Sequence, residues 1–331
     1  MFQKLVLQSA EFPISLFGVV VGYLGLAYGY QLLERNMGFA WPISELLLLI
    51  GVLLFIAFTF TYFLKLFFHF TRFVNELKGA SEGNFFSSIS ISMILLGVMF
   101  QPLSEIGSIV FWSVGSILQF VITIYIVRNW IYQTHWQVTD LNPVWFLPVV
   151  GVLVIPLGLP QFLPVELGWF FLSIGLIFWL ILFSLILYRL FFHPPLASYL
   201  EPTLFILIAP PALGFLSYLA LNVPLASDGA LEVDLVARVL FYTGLFLSFL
   251  LLSKTLRFSK IPFSLASWAS VFPLTMMAVA SLVMFEHLNL VFYGYLGGLL
   301  LSLLSVLVLH LTLMTFLAWK HQSLHIMSKQ S

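Results

Sequence analysis

The sequence contains no cysteine and very little charge: charged residues make up 8% of 331, with 13 Lys and Arg against 13 Asp and Glu. Without cysteine there is no disulfide framework, thiolate nucleophile or zinc–thiolate site. A zero net charge offers nucleic acid no basic surface. A soluble domain needs about 25% charged residues to cover its exterior. The composition therefore excludes a soluble globular protein and makes a nucleic-acid partner improbable.

Hydrophobic residues make up 61% of the chain, and the mean hydropathy is +1.09. These values predict an all-α integral membrane protein whose partner is the lipid bilayer. A transmembrane helix needs about 20 mainly apolar residues, and ten segments meet this requirement. The predicted spans of this single domain, residues 1–331, are 12–31, 46–69, 87–104, 107–127, 143–160, 165–192, 202–222, 231–253, 262–285 and 288–319.

The distribution of basic residues predicts the orientation of the chain. If the N-terminus is cytoplasmic, all of the 13 Lys and Arg except Arg35 and Arg238 lie on the cytoplasmic side. This bias follows the positive-inside rule. It also supports the count of ten, because one span too many or too few would place every later loop on the wrong side of the membrane. We therefore expect a plasma-membrane protein with both termini in the cytoplasm. In a bacterium this membrane is the inner membrane. The apolar run before residue 12 is too short for a signal peptide.

Proline separates the spans into two groups. Eleven of the 16 prolines lie in odd-numbered spans and none lies in an even-numbered one. Irregular backbone at membrane depth is tolerated only inside the protein or along a water-filled cavity. The pattern predicts five helical hairpins, with kinked odd-numbered spans as an inner ring around a central pore and even-numbered spans as an outer ring. The kinks are expected at the prolines inside helices, which are Pro148, Pro156, Pro210, Pro211 and Pro273.

Small residues also mark the inner ring. Gly18, Gly22, Gly25 and Gly29 form one stripe along the first span, which favours either close helix packing or space beside the helix. Packing is the more common use of such a stripe. Small, hydroxyl and aromatic side chains are expected to line the passage. The small and hydroxyl members of the predicted lining are Gly22, Ser15, Ser92 and Thr275.

The predicted odd-numbered spans contain no Asp, Glu, Lys or Arg, so no proton relay, cofactor site or metal site is expected within them. His310 is expected to hydrogen-bond a neighbouring helix. His321 and His325 have metal-site spacing but lack a carboxylate partner, which favours a solvated face. These observations argue against an enzyme. The charge of a conducted ion stays open at this point. Backbone carbonyl groups that lose their hydrogen bonds at proline kinks favour cations, whereas the basic residues on the cytoplasmic side attract anions.

Five motifs occur in order along the odd-numbered spans: FPISLFGVVVG, FFSSISISMILLG, NPVWFLPVVG, EPTLFILIAPPALGFLSY and SWASVFPLTMMAVAS. Together they resemble the tellurite-resistance/dicarboxylate transporter family, which includes the bacterial TehA proteins and the plant slow-type anion channels. The resemblance covers nearly the whole chain and agrees with the number of spans. It implies a homotrimer in which each subunit has its own pore.

The resemblance also implies a function and a gate. Members of the family conduct small inorganic anions such as chloride and nitrate. A phenylalanine on the ninth span closes their pore beside a glycine of the first span, and the matching residues here are Phe272, just before Pro273, and Gly18. The alternative is a secondary transporter for dicarboxylates such as malate, or for tellurite-type oxyanions and toxic compounds. A membrane enzyme or scaffold would instead need a polar cluster at one depth.

Overall fold

The computed structural model describes residues 2–38, 42–79, 81–134, 136–160, 163–222, 233–254 and 260–320. Within these ranges the chain is helical and contains no strand. Among the described residues nine apolar helices are long enough to cross a membrane, and a tenth, shorter apolar helix, Pro143–Gly158, takes the place of the predicted fifth span. The nine are Ile14–Met37, Ile43–Phe68, Glu82–Phe100, Glu105–Tyr132, Val165–Phe192, Ser198–Asn222, Leu235–Leu252, Leu265–Leu288 and Val291–Lys320. Residues 231 and 232, His135, Arg257, His321, His325 and Lys329 lie outside the described residues.

Burial separates the spans into two rings. In the most apolar window of the first, third, seventh and ninth spans, 72% to 83% of residues are buried. In the even-numbered spans the corresponding values are 22% to 39%. All residues of the short fifth span Pro143–Gly158 are buried except Leu147 and Leu157. The predicted alternation of inner odd-numbered and outer even-numbered spans is confirmed.

Contacts between the spans close the inner ring. Each inner span packs against the next one along the chain, and the ninth packs against the first. Each outer span packs against its own hairpin partner and against the following inner span, so that it fills the groove between them. The structure is therefore five hairpins arranged around one central axis.

Each inner span begins with 3₁₀ turns and continues as α-helix. The 3₁₀ segments are Ile14–Leu16, Glu82–Phe86, Pro143–Trp145, Ser198–Ile208 and Leu265–Ser270. Most of the prolines predicted as interior kinks lie in the first turn of the α-helical part, directly after the 3₁₀ turns, so they mark the change from one helix type to the other. These residues are Pro148, Pro210, Pro211 and Pro273. Of the five, only Pro156 is inside a helical segment, the second 3₁₀ stretch of the fifth span.

The irregular fifth span receives hydrogen bonds from its neighbours. The Pro148 carbonyl accepts from Gln119 Nε2 at 2.8 Å and from Thr123 Oγ1 at 2.5 Å. Trp112 Nε1 donates to the Ile155 carbonyl at 2.8 Å. All three donors lie on the fourth span. Because lipid supplies no hydrogen bonds, these side chains allow a non-α backbone at membrane depth.

The structure corrects two expectations about polar residues. The predicted odd-numbered spans contain no Asp, Glu, Lys or Arg, but the inner helices extend beyond those bounds and carry charged residues at their ends, which are Glu34, Arg35, Glu82, Glu201 and Glu286. A span predicted from hydropathy begins at the first apolar run, so the polar turns before that run are left out of the predicted span. His310 is exposed on the outer face of the tenth span and has no hydrogen bond among the described residues, so the expected interhelical bond is wrong.

Two short helices lie outside the ten spans. Phe2–Ser9 precedes the first span, and Phe70–Lys78 connects the second span to the third. The second of these, called the loop helix below, has its polar and apolar residues on opposite faces. Both helices lie at the end of the ring where the inner spans begin, because the N-terminal helix packs against the second span and the loop helix against the start of the third.

Candidate functional site

A small cavity of about 50 Å³ lies inside the inner ring. All five inner spans contribute to its wall, which is almost entirely apolar. The lining residues are Ser15, Gly18, Val21, Phe85, Ser88, Ile91, Phe146, Leu147, Val150, Gly151, Val154, Ile206, Ala209, Leu213, Leu265, Trp268, Ala269, Phe272 and Pro273. This space is called the central cavity below.

Four of the eleven residues predicted from the sequence line the central cavity: Ser15, Gly18, Phe272 and Pro273. The other seven are buried elsewhere in the inner ring: Gly22, Ser92, Thr275, Pro148, Pro156, Pro210 and Pro211. The prolines occur at changes of helix type, as described above, and Pro211 lies close to Gly244 of the outer ring. The sequence thus located the ring correctly, but not which side of each inner span faces the axis.

The predicted hydroxyl lining is mostly turned away from the cavity. Ser92 Oγ donates to the Ser88 carbonyl at 2.7 Å, and Thr275 Oγ1 donates to the Val271 carbonyl at 2.9 Å. Both hydroxyls are therefore satisfied within their own helices, as is common for Ser and Thr in apolar helices. They contribute no polar group to the central cavity.

The glycine stripe of the first span receives large side chains of the ninth. A Cβ atom on Gly22 would lie 3.1 Å from the Trp268 ring, and one on Gly25 would lie 2.9 Å from Phe272 Cδ2. A Cβ atom on Gly29 would lie 2.6 Å from Leu301 Cδ2 of the tenth span and 3.3 Å from Thr275 Cγ2 of the ninth. The stripe therefore serves close packing, which is the more common use of such a pattern.

The glycine that accommodates the Phe272 ring is Gly25 and not the expected Gly18. A Cβ atom on Gly18 would have Trp268 Cβ at 3.7 Å as its only neighbour within 4 Å. Gly18 and Gly25 lie on the same face of the helix but two turns, or about 10 Å, apart along its axis. Phe272 is 8% exposed, so its ring is largely covered by this packing while still forming part of the cavity wall.

Trp268 is a lining residue that the sequence interpretation missed. It is 1% exposed, and its Nε1 donates to Thr315 Oγ1 on the tenth span at 2.9 Å. Trp268, Phe272 and Met276 follow one another at intervals of four residues, so they lie on one face of the ninth span. That spacing is the signal by which Trp268 could have been found.

A polar vestibule of about 510 Å³ adjoins the central cavity at the end where the inner spans begin. Ser15, Phe85 and Leu265 line both spaces. The charged residues around the vestibule are Glu11, Lys65, Arg72, Glu76 and Glu82. The vestibule and the cavity are thus neighbouring spaces, separated by these shared side chains, and Phe272 lines the inner one.

Both basic residues of the vestibule are paired with carboxylates. Lys65 Nζ lies 2.5 Å from Glu76 Oε2, and the pair is buried, with side chains 5% and 11% exposed. Glu76 also accepts from Tyr62 Oη at 2.8 Å and from the Ile14 N–H at 2.7 Å. Its carboxylate therefore holds the second span, the loop helix and the start of the first span together.

The second basic residue, Arg72, forms a salt bridge with Glu11 in the segment between the N-terminal helix and the first span. This pair is much more exposed than the pair of Lys65 and Glu76. In the part of the chain that the structure describes, no three His, Asp or Glu side chains are grouped so that they could hold a metal ion. The vestibule is thus lined by ion pairs, whereas the central cavity is lined by apolar side chains.

Comparison with known proteins agrees with this architecture. A family model described as voltage-dependent anion channel matches residues 11–316. An uncharacterized transporter of Methanocaldococcus jannaschii, MJ0762, is 25% identical over 87% of this chain and 89% of its own. The S-type anion channel SLAH2 of Arabidopsis thaliana is 27% identical over 82% of this chain and 52% of its own.

The tellurite resistance protein TehA homolog of Haemophilus influenzae is 26% identical over 84% of this chain and 82% of its own. The bacterial, archaeal and plant relatives therefore share nearly all of the region that contains the ten spans. With the family model matching almost the entire membrane region, this multi-pass membrane protein belongs to the voltage-dependent anion channel family.

Proposed function

We propose that this protein is an anion channel that conducts small monovalent anions such as chloride and nitrate through the ring of each subunit. The observation that carries the proposal is the apolar cavity at the centre of the inner ring, with Phe272 in its wall and a polar vestibule adjoining it. Membership of an anion channel family supports the choice of anions.

We propose that Phe272 keeps this channel shut or nearly shut. An apolar cavity of about 50 Å³ does not retain ordered water. A bare apolar constriction therefore excludes a hydrated ion, which is gating by dewetting. Removal of the Phe272 ring enlarges the cavity at this point and lets water, and with it anions, pass.

The test is the anion current of Phe272→Ala in oocytes or proteoliposomes. We expect the current to rise many-fold over the wild type, whereas Phe272→Leu, which keeps an apolar side chain in place, should raise it much less. Phe246→Ala is the matched control, because Phe246 lies on an outer span and is 64% exposed. Equal currents from the wild type and Phe272→Ala would contradict the gate.

A secondary transporter for dicarboxylates or oxyanions is the second candidate. It is favoured by Glu82 and Glu201, two ionisable groups at the starts of the third and seventh spans that a coupled carrier can protonate and deprotonate at the entrance of the ring. Flux that saturates with substrate and follows an imposed proton gradient would support the carrier. Reversal potentials that follow the chloride or nitrate gradient alone would support the channel.

We propose that the protein is a homotrimer in the plasma membrane, with both termini in the cytoplasm. The exposed apolar surfaces of the five outer spans support association within a bilayer, and the excess of Lys and Arg at the vestibule end supports the orientation. The mass of the purified protein, corrected for bound detergent, tests the trimer. Modification of a single introduced cysteine at Gln133 from one side of the membrane tests the orientation.

A further inference from the structure

Glu82 differs from the other carboxylates of the vestibule in its ion pairing. Lys65 is paired with Glu76, and Arg72 with Glu11. Among the described residues, no Lys, Arg or His forms a salt bridge with Glu82. The vestibule contains two basic and three acidic residues, which leaves one net negative charge, and Glu82 is the residue that carries it.

Glu82 lines the vestibule close to the side chains that separate it from the central cavity. It is the first residue of the third span, and Phe85, one 3₁₀ turn later, lines both spaces. Its side chain is half-buried and interacts electrostatically with Lys65 and Glu76. Tyr199 of the seventh span lines the same vestibule and also interacts electrostatically with Glu82.

Few other titratable groups face this carboxylate. The 3₁₀ turns Glu82–Phe86 pack against the starts of the first and fifth spans and against the helix Ser87–Phe100, none of which contains a titratable residue in the contact region. The loop helix contributes Arg72, Glu76 and Lys78, and the fourth span contributes Tyr125 and the exposed Arg128. Among the described residues, Glu82 is thus the one carboxylate of the vestibule without a salt bridge to stabilise its ionised form.

We propose that Glu82 is a proton-binding site and that its protonation favours the passage of anions through the vestibule. The inference rests on the proposed anion channel. An ionised Glu82 repels an approaching anion, and the two basic residues that line the vestibule, Lys65 and Arg72, do not cancel the repulsion because each is paired with its own carboxylate. Protonation removes the single unbalanced charge, and the local anion concentration then rises.

The experiment measures chloride flux as a function of pH in the Phe272→Ala background, where the gate is removed. Acidification of the vestibule side from about pH 7 to about pH 3.5 should raise the flux several-fold, since this range includes the ordinary titration of a glutamate at about pH 4.3. The double variant with Glu82→Gln should show the raised flux at every pH, because glutamine has the shape of protonated glutamate. Acid on the opposite side should have little effect.

Glu105→Gln is the matched control, because Glu105 is an exposed carboxylate at the other end of the ring. It should retain the full pH dependence. The proposal is overturned if Glu82→Gln also retains that dependence, or if it lowers the flux at neutral pH.

An infrared titration makes the result independent of conduction. Because the other carboxylates also protonate on acidification, the pH-difference spectra of the two proteins are compared, and the wild type should show one protonated-carboxyl component that is missing from Glu82→Gln. A pH-difference spectrum that is the same in both proteins overturns the proton site. If Phe272→Ala carries no anion at any pH, the channel proposal fails, and the infrared band alone then decides whether Glu82 binds a proton.

Discussion

The ring of Phe272 is seated against Gly25, with Phe272 Cδ2 only 2.9 Å from the position of a Cβ atom on that glycine. The two residues lie on neighbouring inner spans, the ninth and the first, whose contact closes the ring. Glycine is needed at this point because any side chain would occupy the place of the aromatic ring. The position of the proposed gate is therefore set by helix packing as well as by Phe272 itself.

Gly25→Ala should lower the residual anion flux several-fold. The added methyl group displaces the Phe272 ring, and the adjoining free space is the central cavity, which the ring then fills. Gly18→Ala is the matched control, because its methyl group would make only an ordinary contact of 3.7 Å with Trp268. Liposome flux under a steep chloride gradient provides the measurement.

The same substitution should have no effect on flux in the Phe272→Ala background, where no ring remains to be displaced. A Gly25→Ala effect of equal size with and without the ring would show that the methyl group acts on the helix packing and not on the gate.

Gly97→Ala should destabilise the protein strongly. A Cβ atom on Gly97 would lie 2.7 Å from the Trp112 backbone nitrogen, so the third and fourth spans would have to separate. Overpacking of this kind costs about 1–3 kcal/mol or more. Gly298→Ala, with no atom within 4 Å of the added methyl group, should leave the stability unchanged or raise it slightly. Thermal unfolding in detergent would compare the two, and equal midpoints would contradict the close approach of these two helices.

Gln119→Leu should lower stability by about 1–3 kcal/mol, because it removes a buried amide. Gln119 accepts from Ser90 Oγ at 2.6 Å and donates to the Pro148 carbonyl at 2.8 Å, so it joins the third and fifth spans. Gln133→Leu changes an exposed glutamine in the same way and serves as the control. Unfolding by denaturant measures the free energy of unfolding of both variants. An equal loss of stability in Gln133→Leu would show that the added hydrophobic side chain, and not the lost hydrogen bonds, causes the effect.

Lys65→Met should destabilise the protein by about 3–5 kcal/mol, since it leaves the buried Glu76 without its partner. The double variant with Glu76→Leu should recover part of the loss, because no unpaired charge then remains. Arg35→Met is the comparison at the other end of the ring. Its salt bridge with Glu286 measures 2.7 Å, but the arginine side chain is 70% exposed, so the loss should not exceed about 1 kcal/mol.

These stability losses can be read from the midpoint of unfolding in a fixed detergent. If Lys65→Met and Arg35→Met lowered it equally, burial of the ion pair near the vestibule would not matter to the stability of the fold.

Much of the architecture was predictable from one-dimensional patterns. Long apolar runs determined the number of spans, since hydrocarbon thickness sets the length of each helix. The restriction of proline to odd-numbered spans determined which helices are inner, since irregular backbone cannot face lipid. Family motifs pointed to Phe272 and Pro273, and both line the central cavity.

Other features depended on three-dimensional packing. The polar 3₁₀ turn at Glu82 lies before the apolar run of its span, so hydropathy excluded it. Ser92 and Thr275 have suitable chemistry for a pore, but the rotation of each helix turns them away from the cavity. That rotation is set by contacts with neighbouring spans, which no single segment encodes.

The amino-acid sequence by itself determined a ten-span membrane protein with an inner and an outer ring, because hydrophobic length and proline tolerance are properties of each segment alone. Only the tertiary structure decided that Gly25 seats Phe272, that Trp268 lines the cavity and that Glu82 forms no salt bridge with a described basic residue. Each of these depends on distances between segments far apart in the chain, and such distances arise when the five hairpins close into a ring.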